Sequence, residues 1–212
     1  MFKPFYIAEC IAFICSFFLL FRKTDKYLKW FIPYCFLIVL TETLAYLYRS
    51  KGNSPILNIY LGFDITFQFW IFYKVFEQPK TKKIVAIMGI FGFLFYLLNI
   101  LFIQGLFKLN TYSLLYEFIT LSALSFTYLF FLSENTGKKP FYADTMSWIA
   151  VGMFLYFLPA SIVYASFEVF TYHSLEASFL FAKVYHLVNN VCNVLCYSFF
   201  SIGFLFSMRQ DN

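Results

Sequence analysis

The chain has 212 residues, of which 61% are hydrophobic and 25% aromatic, with 33 Phe and 17 Tyr, while only 13% are charged. Net charge is +5 and mean hydropathy +0.72. A soluble domain carries roughly 25% charged residues, so the composition excludes a disordered chain and argues against a water-exposed globule.

Lipid is the solvent that fits, because a spanning helix needs about 20 mostly apolar residues. In chain order the apolar runs predict helices over Tyr6–Phe21, Trp30–Tyr48, Ile56–Phe76, Ile84–Phe107, Ser113–Leu132, Met146–Ser166 and Phe181–Phe206. The expectation is an all-α polytopic transmembrane bundle of seven helices forming one domain over 1–212. The runs lack strict alternation and are about twice the length of a barrel strand, which argues against a β-barrel. The first span is the shortest and is interrupted by Glu9. Met1, Phe2 and Lys3 before an apolar run have the outline of a signal peptide. No small-x-small cleavage site follows, however, and the run stops at Arg22 and Lys23.

Orientation follows from the basic residues. One side collects Arg22, Lys23, Lys26, Lys29, Lys74, Lys80, Lys82, Lys83, Lys138, Lys139 and Arg209; the other has Lys3, Arg49, Lys51 and Lys108, with Lys183 at the start of the seventh span. The bias predicts an outer N-terminus and an inner C-terminus. The positive charge is therefore read as a topology signal, with membrane lipids as the contact and no direct nucleic-acid binding. Two loops exceed a turn: inner Ser133–Asp144 and outer Phe167–Ala177, which holds His173. The inner basic loops could meet a soluble or membrane partner, although fixing topology or meeting anionic lipid suffices to explain them. The five cysteines, Cys10, Cys15, Cys35, Cys192 and Cys196, all fall within spans and read as packing residues. Gly89 and Gly92 permit close helix contact, and Pro159 interrupts the sixth span.

Intramembrane charge usually faces a bundle interior. Glu9, Glu42, Asp64, Glu117 and His186 occupy five different spans. At about 1.5 Å of rise per residue they lie roughly 5, 9, 12, 6 and 8 Å below the outer helix ends, all in the outer half. The seventh span carries a stripe of Lys183, His186, Asn189, Asn190, Asn193, Tyr197 and Ser201; the third carries Tyr60, Asp64 and Gln68; the second pairs Glu42 with Tyr46. Asn99 and Gln104 add polar groups from the fourth span, and Tyr156 and Tyr164 from the sixth. Polar side chains also bind helices together, at about 0.6–2 kcal/mol each. Glu9 is shallow enough for the headgroups, and Lys183 can snorkel. Three deeper carboxylates with a histidine exceed what packing needs, and they predict a polar cavity wetter toward the outside.

Seven-helix zinc amidases use three intramembrane histidines, whereas this chain has one, and no HExxH, GxSxG or phosphate-binding glycine loop occurs. A carboxylate-based hydrolase of lipid headgroups would draw on Glu42, Asp64, Glu117 and His186, with Glu42 or Asp64 as base and His186 as acid or orienter. A retinal protein would need a deeper lysine than Lys183. A transporter or oligomeric pore would need the polar path to continue inward, where Phe, Leu and Ile dominate.

Across NIYLGFDITFQFWIFYKVF, IMGIFGFLFYLLNILFIQGLF and VNNVCNVLCYSFFSIGFLF the chain resembles a group of small multi-pass membrane proteins of Bacteroidetes-type bacteria. The resemblance implies a bacterial inner-membrane protein of several helices and carries over no catalytic residues. By size and class alone, such proteins also accompany CRISPR and other antiphage systems. The leading expectation is a binding, sensory or regulatory membrane protein with an outward pocket for a small or amphipathic ligand. Its lining is expected to be Glu42, Tyr46, Asp64, Gln68, Glu117, His186, Asn189, Asn190 and Asn193, and no motif calls for a cofactor.

Overall fold

The computed structural model describes residues 3–21, 24–134, 141–171 and 175–206. Among these the chain is almost wholly helical and has no strand. Helix α1 spans Pro4–Ser16 and tightens into a 3-10 turn, Phe17–Leu20. Helix α2 spans Phe31–Leu47 after a 3-10 turn at Leu28–Trp30, α3 spans Ser54–Val75, and α4 spans Pro79–Leu98. A π-helical turn, Asn99–Ile103, extends α4. Helices α5, α6 and α7 span Thr111–Glu134, Thr145–Thr171 and Leu175–Phe206.

Six of these segments, from Leu28–Leu47 to Lys183–Phe206, are long and apolar enough to cross a membrane; Pro4–Leu20 is shorter. At about 1.5 Å per residue, Pro4–Leu20 covers about 25 Å against a hydrocarbon core of about 30 Å. The outer surface is what lipid requires: Ile84, Ile87, Ile90, Phe91 and Leu94 of α4 are all exposed.

Several helix limits differ from the apolar runs for one reason: apolarity marks hydrocarbon, while capping and proline mark helix ends. Helix α4 begins at Pro79 rather than Ile84, because proline at the first position starts a helix and the lysines after it continue the helix ahead of the apolar run. Helix α6 begins where the Asp144 carboxylate accepts from the Ser147 N–H at 2.9 Å. It continues to Thr171, and α7 begins at Leu175, so much of the expected outer loop at Phe167–Ala177 is helix. His173 lies outside the described residues, as do Arg22, Lys23, Lys138, Lys139 and Arg209.

Packing closes a ring. Helix α1 lies between α2 and α7; α2 then meets α3, α3 meets α5, α5 meets α6, and α6 meets α7. Helix α4 packs outside, on α3 and α5. Small residues set the closest approaches. A methyl group added at Gly152 of α6 would stand 2.8 Å from the Cys196 carbonyl oxygen of α7, and at Gly92 of α4 it would meet the Tyr116 ring at 2.5 Å. Both glycines let neighbouring helices nearly touch.

The α4–α5 connection is held by a polar clasp. Asn58, fully buried on α3, donates through Nδ2 to the carbonyls of Leu106 (2.7 Å) and Lys108 (2.6 Å), and its Oδ1 accepts from the Asn110 N–H at 3.0 Å. The Tyr96 hydroxyl donates to the Asn58 carbonyl at 2.9 Å. Asn99, turned inward at the π-helical turn, donates to Asn110 Oδ1, to Gln104 Oε1 (3.0 Å) and to Ser113 Oγ (3.2 Å). Gly105 then takes φ +76°, a conformation that suits glycine. Asn99 is occupied by the side chains of Gln104, Asn110 and Ser113, and Gln104 by the Thr111 hydroxyl and the Tyr112 N–H, and neither reaches the interior cavity described below. Asn58→Ala leaves two carbonyls and one N–H without partners. It is expected to cost about 2–4 kcal/mol, read as a lowered unfolding midpoint of the detergent-solubilised protein.

Candidate functional site

The ring encloses a cavity of about 320 Å³. Its lining comes from α1, α2, α3, α5, α6 and α7, and includes no α4 residue. It runs from Lys3, Asn53 and His186, at the end of the bundle where α1 and α7 start, down to Tyr34, Gln68 and Phe200. Of the sequence-predicted residues, Glu42, Asp64, Gln68, His186, Asn189, Asn190 and Asn193 line it together. The stripe on α7 thus faces the interior, as do the polar face of α3 and one carboxylate of α2.

Two expected residues stand elsewhere. Tyr46 is 58% exposed and lines an adjoining vestibule between α1 and α2, with Tyr6, Thr43 and Arg49. It shares a helix face with Glu42, but by the last turn of α2 that face has left the enclosed space. Glu117 is fully buried on α5 and does not line the cavity. Both its carboxyl oxygens lack a hydrogen-bond partner, although Asp64 lies within electrostatic range. Glu9, which the sequence allowed to rest in the headgroups, is turned inward. It is 4% exposed and lines the cavity, with Oε2 unpartnered.

The centre of the site is a three-residue network between α2 and α3. The Tyr34 hydroxyl donates to Asp64 Oδ1 at 2.8 Å. Gln68 Nε2 donates to the Tyr34 oxygen at 2.5 Å and lies 3.3 Å from Asp64 Oδ1. Both donors converge on one carboxylate oxygen, and Asp64 keeps accessible surface, which lies in the cavity it lines. The Gln68 Oε1 atom is buried without a partner. Tyr34 is held flat against Phe67, ring centroids 4.1 Å apart. Sequence reasoning overlooked Tyr34, although a signal existed: Tyr34, Ile38 and Glu42 follow at four-residue steps on one face of α2, and all three line the cavity.

Below the network the interior closes. Phe31 is fully buried and contacts Tyr34 (5.9 Å), Phe67 (5.3 Å), Phe200 (5.8 Å) and Phe204 (5.7 Å), measured between ring centroids. This aromatic layer forms the floor.

His186 stands at the mouth and is exposed. No group of three or more His, Cys, Asp or Glu among the described residues is placed to hold a metal. All five cysteines are free thiols, and Cys15, Cys35 and Cys196 are buried.

A second cavity, of about 390 Å³, lies at the opposite end and includes Asp25, Tyr27, Glu77, Tyr128 and Asp144 in its lining. Burial first, then the Asp25 and Asp144 carboxylates, push the Tyr27 phenol above its ordinary value. It stays neutral and donates to Asp25 Oδ2 at 3.3 Å. Asp144 Oδ2 accepts from the Tyr128 hydroxyl (2.6 Å) and the Ser147 hydroxyl (2.7 Å) as well as capping α6, so this acid serves the joint between α5 and α6.

Compared with family models, curated proteins and solved structures, the chain matches none. The functional reading therefore rests on the site itself.

Tyr34→Phe removes the donor that bridges Gln68 and Asp64 while keeping the ring on Phe67. The expected loss is about 1–3 kcal/mol, the cost of leaving buried polar partners short of one bond. Thermal unfolding in detergent measures it, and Tyr73→Phe at an exposed position serves as the comparison with little change.

Proposed function

We propose that this chain is a membrane-embedded binding or sensory protein whose interior cavity takes a small polar or amphipathic ligand. The observation that carries the reading is the convergence of Glu42, Asp64, Gln68, Asn189, Asn190 and Asn193 on one cavity inside an otherwise apolar ring. The volume sits at the lower end of the range for small-molecule sites, roughly 300–1,000 Å³. That size suits a metabolite or a single headgroup rather than a peptide.

In this reading all seven helices cross the membrane, with α1 as the shortest crossing. The mouth lies on the outer side, because Lys26, Lys29, Lys74, Lys80, Lys82 and Lys83 gather at the opposite end and basic residues favour the cytoplasmic side. The membrane is the cytoplasmic membrane of a bacterium. Ligand-driven helix movement is relayed to the basic inner face, where a partner reads it. The aromatic layer around Phe31 favours binding over conduction, since the polar lining stops there.

Cysteine accessibility tests the reading. In a variant with its five cysteines replaced, Asn189→Cys or Asn193→Cys is expected to react with a small membrane-impermeant thiol reagent added outside intact cells. Lys82→Cys is expected to react only after the cells are opened. Reaction of the α7 positions from the inside only, or of Lys82→Cys from outside, contradicts the outward mouth.

A further inference from the structure

The charge and aromatic content of the deep cavity specify its ligand more narrowly than size does. Its acidic groups are Glu9, Glu42 and Asp64. Its basic side chains are Lys3 and His186, both exposed and both at the mouth. Below them the lining carries no lysine, arginine or histidine. Two inward polar groups that are almost wholly buried, Glu9 at 4% exposure and Gln68 at 2%, keep an oxygen without a partner: Glu9 Oε2 and Gln68 Oε1. Both free atoms are acceptors, and a carboxylate left unpaired in a dry interior is costly. What the site lacks is a cationic donor.

The walls fit the same ligand. Tyr60, Tyr156, Tyr197, Phe118 and Phe200 line the cavity around these acids. Edge-to-face packing fixes several of the rings, with Phe118–Tyr156 and Tyr197–Phe200 centroids each 5.7 Å apart. Tyr60 and Tyr197 each lie within electrostatic range of both Glu9 and Asp64. Aromatic faces beside carboxylates attract an organic ammonium, through cation–π contact and ion pairing together. A bare metal ion would want clustered oxygen ligands, whereas the acids here are spread around an aromatic space.

We propose that the cavity binds a small organic ammonium, its charged nitrogen seated between Asp64 and Glu9 and its alkyl groups against Tyr60 and Tyr197. The proposal rests on the reading of the cavity as a ligand site. The basic rim does not oppose it. Lys3 and Arg49 are exposed, Asp64 lies about 10 Å below Leu57 on α3, and solvent screens exposed charges over about 8–10 Å. Asp64, already accepting two bonds at Oδ1, would pair with the ammonium, while Glu9 Oε2 and Gln68 Oε1 would gain the donor or positive charge they lack.

The test uses the full chain in lipid nanodiscs and three probe sets of matched shape: choline, tetramethylammonium and n-butylammonium; the neutral 3,3-dimethylbutan-1-ol and pentan-1-ol; and the anionic 3,3-dimethylbutanoate. Equilibrium binding and the ligand-induced shift in melting temperature are read together. The expected result is saturable binding of an ammonium at least about tenfold tighter than its neutral counterpart, weakened about tenfold or more by Asp64→Asn and by Glu9→Gln. If Asp64→Asn fails to fold, Glu9→Gln decides. Neutral or anionic probes binding as tightly as the ammoniums, or both variants binding ammonium like the unchanged protein, overturns the ammonium proposal and leaves the pocket as a ligand site. Failure of every probe to bind overturns both.

Discussion

In hydrocarbon a polar side chain has few places to go, and that constraint organises this fold. Glu9, Glu42, Asp64 and Glu117, with the asparagines of α7, sit on helices whose other surfaces are almost entirely apolar. Turning them to lipid would cost several kcal/mol each. Turning them inward is possible only if the helices stand around a common interior. The ring of α1, α2, α3, α5, α6 and α7 is that solution. Helix α4, whose polar end group Asn99 is taken up by the α4–α5 connection, is the one helix left outside.

Closing the ring required close helix contact on one side and firm joints at the ends. Gly152 brings α6 against the backbone of α7, and Gly92 brings α4 onto Tyr116. Asn58 ties the α4–α5 connection to α3, and Asp144 ties the start of α6 to Tyr128. These polar groups have their partners within the protein. Buried atoms without a partner occur outside the cavity as well, at Asn99, Asn110, Glu117 and Ser125, but Glu9 Oε2, Gln68 Oε1 and Asn190 Oδ1 belong to side chains that line it, where a ligand can reach them.

Much of this was legible in the sequence, and the reason is specific. Four-residue spacing on an apolar helix identifies a face, and the scarcity of charge made the faces of α3 and α7 unambiguous. Asp64 with Gln68, and His186 with Asn189, Asn190 and Asn193, could therefore be placed together before any coordinates. Spacing does not reveal which interior a face meets. Glu117 has the right depth, yet α5 turns it into the protein beside the cavity wall. Asn99 is the same residue type as the asparagines of the α7 stripe, but at the π-helical turn it meets the side chains of Gln104, Asn110 and Ser113 instead. Tyr46 follows Glu42 by one turn, and one turn is enough to leave the enclosure. Glu9 was read as shallow because depth was counted from its own helix end, whereas exposure depends on the neighbours α2 and α7. Helix limits went astray where lysine-rich turns remained helical beyond the apolar run, as at the start of α4.

The account stands on a single claim, that six helices surround a polar space reached from the end where α1 begins. A cryo-electron microscopy map of the full chain in lipid nanodiscs, without added ligand, tests it most directly. The account predicts that Glu9, Asp64, Gln68 and Asn193 face one enclosed volume that opens beside Lys3 and is floored by Phe31. A map in which Asp64 and Asn193 face lipid, or in which α4 fills the interior, would contradict it.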